Sequence, residues 1–181
     1  MPETFPNFQL TDQVALVTGA GRGLGRAISL ALANAGAHVA LGLYDVNRDS
    51  GLAAEIEAMG RRALRLQMDV TNLEQVRRAV EDTVSTFGRL DILVNNAGGG
   101  FTNLAEDVPE SEFDETVARN LKATFFASQV AGKVMMTQKY GRIINMSSQA
   151  GFVALPTEAV YCMTKAGINQ LTRCFAVEWG K

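Results

Sequence analysis

Val14-Ala15-Leu16-Val17 is an unbroken apolar run, and a glycine-dense stretch, Thr18-Gly19-Ala20-Gly21-Arg22-Gly23-Leu24-Gly25, follows it directly. Apolar residues then recur at a spacing of four, at Leu24, Ile28 and Leu32, until Gly36. A run too short for a helix, a glycine turn and a helical apolar period describe one strand–loop–helix unit. The alternation repeats. His38–Leu43 reads as a second strand, with a helix from Ser50 to Met59 that Gly60 ends. Ala63–Met68 reads as a third, with Thr71 or Asn72 capping a helix that buries Val76, Val80, Val84 and Phe87. Asp91–Val94 reads as a fourth, followed by Gly98-Gly99-Gly100 and a helix opening near Ser111 with the stripe Phe113, Val117, Leu121 and Phe125. Arg142–Met146 reads as a fifth, before a helix from Glu158 to Trp179. Five such units predict an α/β fold: a doubly wound parallel sheet between two helical layers. Ligands of such sheets bind beyond the carboxyl ends of the strands, so the residues just after each apolar run are the ones to search.

Composition narrows the function. The 181 residues carry 17 Lys+Arg against 19 Asp+Glu, and 47% are hydrophobic, which suits one globular domain rather than a disordered chain. The near-neutral balance gives no footprint for nucleic acid, and no apolar stretch is long enough to span a bilayer. The N-terminus lacks the basic-then-apolar order of a signal peptide. Cys162 and Cys174 fall on the same expected helix, 12 residues or ~18 Å apart, too far to bridge, and one His with two Cys offers no zinc spacing. No metal site is expected, and a reducing cytoplasmic setting is.

The glycine stretch is the first candidate site. Its N–H groups and the dipole of the following helix favour a pyrophosphate, with Arg22 as a neighbouring cation. The common G-x-G-x-x-G pattern fails because position 26 is Arg; the spacing is T-G-x-x-x-G-x-G. A plain strand-to-helix turn is the other reading. Tyr161 and Lys165, four apart, are the second candidate, since they share one helix face. An ammonium beside a phenol favours the phenolate and suits general acid/base work. Alone, Y-x-x-x-K reads more often as a lysine stem lying over a surface tyrosine. Ser148, thirteen residues before Tyr161 and just past the fifth run, stands where a hydroxyl would meet the same reacting oxygen.

Taken in order, these motifs resemble the short-chain dehydrogenase/reductase family, from about Leu10 to Lys181. Gly19, Arg22, Gly23 and Leu24 match its cofactor loop, Asp69-Val70 its adenine-contacting pair, and Asn96-Ala97-Gly98 the cofactor-facing part of its fourth-strand signature. Asn120, Ser148, Tyr161 and Lys165 match its four catalytic residues. The resemblance implies a Rossmann-like sheet in strand order 3-2-1-4-5 with later strands absent. It also implies NAD(P)(H)-dependent interconversion of a ketone and a secondary alcohol, on a substrate such as a 3-oxoacyl thioester, a sugar or a polyol. Tyr161 would be the acid or base, Lys165 would lower its pKa and hold the nicotinamide ribose, Ser148 would orient the substrate oxygen, and Asn120 would hold a relay water. Ser147 rivals Ser148, but the family spacing to Tyr161 selects Ser148.

NAD-preferring relatives place an Asp at the end of strand two; here that position is Leu43, and Asp45 would reach it only through a one-residue bulge. With Arg22 poised for a 2′-phosphate, NADP(H) is favoured over NAD(H). The resemblance further implies a homodimer or homotetramer formed through the helices beginning near Ser111 and Glu158. His38 reads as a surface strand end. Family members usually continue beyond the Tyr–Lys helix, so residues 1–181 read as one dinucleotide-binding oxidoreductase domain truncated at its C-terminal end. A non-catalytic dinucleotide-binding module or inactive fragment is the competing expectation.

Overall fold

The computed structural model describes residues 8–47 and 51–180. Five strands, β1 (Val14–Thr18), β2 (His38–Leu43), β3 (Ala63–Gln67), β4 (Ile92–Asn95) and β5 (Arg142–Asn145), form one parallel sheet in the order β3-β2-β1-β4-β5. The helices are α1 (Gly23–Asn34), α2 (Leu52–Ala58), α3 (Leu73–Phe87), α4 (Glu110–Val117), α5 (Ala123–Gln138) and α6 (Ala159–Trp179). The sheet order, the parallel pairing and the helical layers are those the alternation and the resemblance predict.

Strand alternation divides the core. Ala15, Val17, Val39, Leu41 and Leu43 point to the side covered by α1 and α2, where Ala33, Leu52 and Ile56 meet them. Leu16, Ala40, Leu66 and Leu93 point to the other side, under α3 and α5, against Val76, Val80, Ala127 and Ala131. β1 is buried along its whole length, which is why it reads as a continuous apolar run.

Several local readings change. Leu24 is 67% exposed, and the face of α1 that meets the sheet is Gly25, Ser29 and Ala33. Small residues win there because the helix approaches the glycine turn too closely for a leucine. α4 begins at Glu110 after Pro109, one residue before the expected Ser111. The expected stripe of the fourth helix also turns outward: Phe113 and Phe125 are exposed, while Thr116, Asn120, Ala123, Thr124 and Ala127 face inward. A π-helical turn, Ala118–Lys122, stands between α4 and α5 and rotates the residues beyond it against one unbroken helical period. Asn72, not Thr71, caps α3, accepting from the Glu74 and Gln75 N–H groups at 3.0 and 3.2 Å. Ser50 lies outside the described residues; α2 follows Gly51 and gives way to Gly60, whose φ is +73°.

Two polar anchors fix the amino-end side of the sheet. The buried Asp91 carboxylate accepts from the Val14 N–H at 2.9 Å and takes both arms of Arg89, each at 2.7 Å. His38 is more than a surface strand end: its Nδ1 accepts the Arg62 N–H at 3.0 Å while its ring stacks on Phe87 at 5.8 Å. Burial, then the Arg62 and Arg61 charges, hold the imidazole below its ordinary 6.5, with Asp12 opposing.

A depressed folded-state pKa means that the unfolded chain binds this proton more readily. Stability is therefore lost as pH falls from 6.5 through the lowered value. The urea midpoint of the wild type should drop across that window, and His38→Gln should remove that part of the slope. An unchanged slope in the variant would show that the imidazole is not linked to folding.

Candidate active site

The carboxyl ends of β1, β4 and β5 converge on the loop 96–100, and that loop joins the two candidate regions. On one side it closes on the glycine turn. The Thr18 hydroxyl accepts the N–H groups of Asn96 and Ala97, both at 3.0 Å. The Asn96 amide donates back to the Thr18 carbonyl at 2.9 Å and the Gly19 carbonyl at 3.3 Å. Gly19 has φ +64°, and a Cβ there would come within 3.1 Å of the Ala97 Cα. A Cβ on Gly25 would press into the Gly19 carbonyl, so the last glycine of T-G-x-x-x-G-x-G is the one that lets α1 approach.

On the other side the loop meets the catalytic candidates. Asn120, fully buried in the π turn, accepts the Gly99 N–H and donates to the Gly99 carbonyl, each at 2.9 Å; its second N–H reaches the Thr164 hydroxyl at 2.9 Å. A Cβ on Gly98 would sit 3.5 Å from the Lys165 Nζ, and one on Gly100 would sit 3.1 Å from the Tyr161 Cβ. Lys165 is 5% exposed; its Nζ donates to the Met146 carbonyl at the end of β5 at 2.7 Å and lies 5.6 Å from the centre of the Tyr161 ring. Burial pulls this ammonium below its ordinary 10.5. Ser148 opens the 3-10 turn Gln149–Gly151 and accepts the Ala150 N–H at 3.2 Å, which leaves its own proton free to donate. Ser147 instead donates to the Lys165 carbonyl at 3.1 Å, so its hydroxyl is spent on holding α6.

The residues present fit a dinucleotide. α1 opens at Gly23 behind an extended Arg22 whose side chain makes no cap, and no acidic residue stands in its first turn. The N–H groups there remain open to an anion. The exposed Leu24 adds an apolar contact at the same mouth. Three expected contacts are placed less directly. The Asn96 amide is committed to the glycine turn. The Asp69 carboxylate accepts the N–H and hydroxyl of Thr71 at 2.9 and 2.8 Å, and Val70 points into the α3–α5 core. Asn96 and Val70 thus offer a ligand their main chain and rims, while both Thr71 bonds fall on Asp69 Oδ1 and leave its other oxygen available. Sequence reasoning missed Thr18 and Thr164. The signal for Thr18 was its place, a hydroxyl at the last strand residue before a glycine; Thr164 carried none.

The profile of the short chain dehydrogenase family matches residues 13–181. The chain belongs to that family. It is 38% identical over 174 residues to an NAD-dependent glycerol dehydrogenase of Listeria innocua, and 42% identical over 166 residues to a 3-oxoacyl-[acyl-carrier-protein] reductase of Staphylococcus aureus. These alignments cover 96% and 91% of this chain and 67% of each relative. A solved short-chain type dehydrogenase/reductase from Mycobacterium marinum superposes with a TM-score of 0.91 at 35% identity, over 95% of this chain and 69% of that one. This short-chain dehydrogenase is thereby an NAD(P)(H)-dependent oxidoreductase of alcohols and ketones, which the comparisons favour over a non-catalytic module. Among the described residues, no helix of the short-chain dehydrogenase is long and apolar enough to cross a membrane.

Because the folded state depresses the Lys165 pKa, the unfolded chain holds this proton across the window between the lowered value and 10.5. Folding stability should rise with pH there. Urea titrations of wild type and Lys165→Met across the alkaline range should differ by that rise. Parallel curves would mean the ammonium pays no burial penalty.

Proposed function

We propose that Tyr161 is the proton donor when a ketone is reduced and the proton acceptor when a secondary alcohol is oxidised. The carrying observation is the buried Lys165 ammonium, pinned by the Met146 carbonyl and set beside the Tyr161 ring next to the loop that closes on the glycine turn. The nicotinamide cofactor, when bound, supplies or takes up the hydride. The two Lys165 ammonium protons not used on Met146 suit ribose hydroxyls. Ser148 directs its free proton at the substrate oxygen. Asn120 positions Gly99 and α6; its amide is fully committed, so a relay water behind Lys165 falls to a main-chain oxygen. Gly19, Gly23 and Leu24 cradle the pyrophosphate, Asp69 and Val70 border the adenine, and Asn96, Ala97 and Gly98 form the floor under the nicotinamide half.

NADP(H) is the preferred cofactor in this reading. The pairing of β2 with β3 runs without a bulge from Val39↔Ala63 to Leu43↔Gln67, and the strand ends on buried Leu43. Asp45 lies beyond that end, where its carboxylate accepts the Asn47 N–H at 3.0 Å. Arg22 is exposed at the mouth of the turn. A homodimer or homotetramer would use the outer face of α4–α6, where Val117, Leu121, Phe125 and Leu171 line an open apolar groove of about 520 Å³. Both cysteines are free, in keeping with a cytoplasmic setting.

Tyr161→Phe should abolish carbonyl-dependent oxidation of NAD(P)H while the fluorescence of bound NAD(P)H persists; retained turnover would remove Tyr161 from the acid role. Arg22→Ala should weaken NADPH binding about tenfold through loss of one charge-assisted contact, and weaken NADH binding far less. Equal losses for the two cofactors, measured by fluorescence titration, would transfer the 2′-phosphate to another residue.

A further inference from the structure

Past the end of β2 the chain is held by a side chain of β3. The ladder between the two strands closes where the Met68 N–H donates to the Leu43 carbonyl at 2.7 Å. Beyond it, the amide of Gln67, the last residue of β3, takes two further main-chain groups. Its Nε2 donates to the Tyr44 carbonyl at 2.6 Å and its Oε1 accepts the Val46 N–H at 3.1 Å. One amide thus brackets Asp45 from both sides, as a further peptide group of β3 would. Inside that bracket the Asp45 Oδ1 accepts the Asn47 N–H at 3.0 Å, an Asx turn. These contacts lie at the β3 edge of the sheet, opposite β5.

The bracketed turn adjoins the glycine turn. The Ala20 N–H, two residues before Arg22, donates to the Gly42 carbonyl at 3.1 Å. A Cβ on Gly42 would come within 2.7 Å of the Met68 sulfur and 3.1 Å of the Val17 carbonyl, so β1, β2 and the chain leaving β3 meet closely here. An acidic side chain at the end of β2 binds the adenosine ribose 2′-hydroxyl of NAD in sheets of this kind, and its charge repels a 2′-phosphate. Leu43 fills the last strand position and is buried, so Asp45 is the first acid beyond it. Whether that carboxylate reaches the ribose depends on the path of residues 44–46, and the Gln67 amide sets that path.

We infer that Gln67 is a positioning residue for cofactor choice: by bracketing the Tyr44–Val46 turn it keeps the Asp45 carboxylate on its own chain and off the adenosine 2′ position, which favours a 2′-phosphate over a 2′-hydroxyl. The inference rests on the NADP(H) reading above and names the residue that maintains it. Gln67 acts through Asp45 and makes no contact with the cofactor itself. Both of its bonds are exposed to water, where each has a modest net value, so losing them releases the turn without unfolding the edge strand. Once released, Asp45 exchanges the Asn47 N–H for a ribose hydroxyl, and its charge opposes a 2′-phosphate.

The test measures dissociation constants of NADPH and NADH by fluorescence, and of 2′,5′-ADP and 5′-AMP by calorimetry, on the full chain. Wild type, Gln67→Met, Asp45→Asn and the double variant are compared; Met keeps the side-chain length and removes both bonds. The preference for the 2′-phosphorylated ligand should fall about tenfold in Gln67→Met for both pairs, and adding Gln67→Met to Asp45→Asn should leave it unchanged. The Val46 amide proton should also exchange faster in Gln67→Met. A preference that stays put or rises in Gln67→Met, a fall that persists without the Asp45 carboxylate, an unchanged Val46 exchange rate, or no binding of any of the four ligands overturns the inference. Affinity lost equally for phosphorylated and unphosphorylated ligands leaves the preference in place and marks a merely structural role. A wild type that prefers NADH, with a further Asp45-dependent shift in Gln67→Met, sinks the NADP(H) reading and keeps the role of Gln67. A wild type that prefers NADPH, with no shift in Gln67→Met, does the reverse.

Discussion

The buried amide of Asn120 is the joint on which the site depends. It holds Gly99 by both its N–H and its carbonyl, and it holds Thr164 of α6 with its remaining proton. No polar atom of that side chain is left over, and each one lost would strand a partner away from water at a cost of about 1–3 kcal/mol. The amide reaches those partners because the helix widens by one residue at Ala118–Lys122. A regular helix there would keep the ordinary register and carry the amide off the loop. One irregular turn thus sets the distance between the glycine turn and the Tyr–Lys helix, since the loop pinned by Asn120 is the one that Thr18 and Asn96 tie to β1.

Close approach is the second constraint, and it runs through glycines. Gly25 lets α1 settle on the Gly19 carbonyl, and Gly151 admits the Asn169 amide and the Ser147 hydroxyl between the Ser148 turn and α6. Gly132 takes the face of Trp179, which itself stacks on Phe175 at 4.1 Å and fastens the end of α6 to α5. Each contact draws two elements around the candidate site together. Its geometry is therefore built from backbone proximity, with the candidate side chains added at its edge.

This explains which parts were legible in the sequence. The strands were, because a parallel strand covered on both faces is largely apolar, and β1, β2 and β4 are apolar but for one end residue each, Thr18, His38 and Asn95. The places of Tyr161, Lys165 and the glycine turn on their elements were, because their spacings fall on predicted elements, while the choice of Ser148 over Ser147 rests on the family resemblance. The inward face of α1 was not. Its apolar period, Leu24–Ile28–Leu32, lies beside the contact line, and small residues occupy the line itself. The orientation of α4 and α5 was not legible either, since no apolar pattern announces a π turn, and both Phe113 before it and Phe125 beyond it are exposed. The committed amide of Asn96 and the engaged carboxylate of Asp69 were hidden for another reason: hydrogen bonds between distant segments leave no local mark.

Exposed apolar surface occurs here in two settings, and their neighbours separate them. On the outer face of α4–α6, Leu121, Phe125 and Leu171 border an open groove. Past β5, Phe152 and Val153 are chained through the Gln149 carbonyl to the residue after Ser148, and past β4, Phe101 follows the glycine that lies on Tyr161. An apolar surface without directional polar atoms selects by shape and area, as a flat association face does. An apolar surface joined through the backbone to a polar side chain selects by where it holds a polar atom of a ligand. The same side-chain chemistry thus carries different information, and the backbone hydrogen bonds that anchor it decide which.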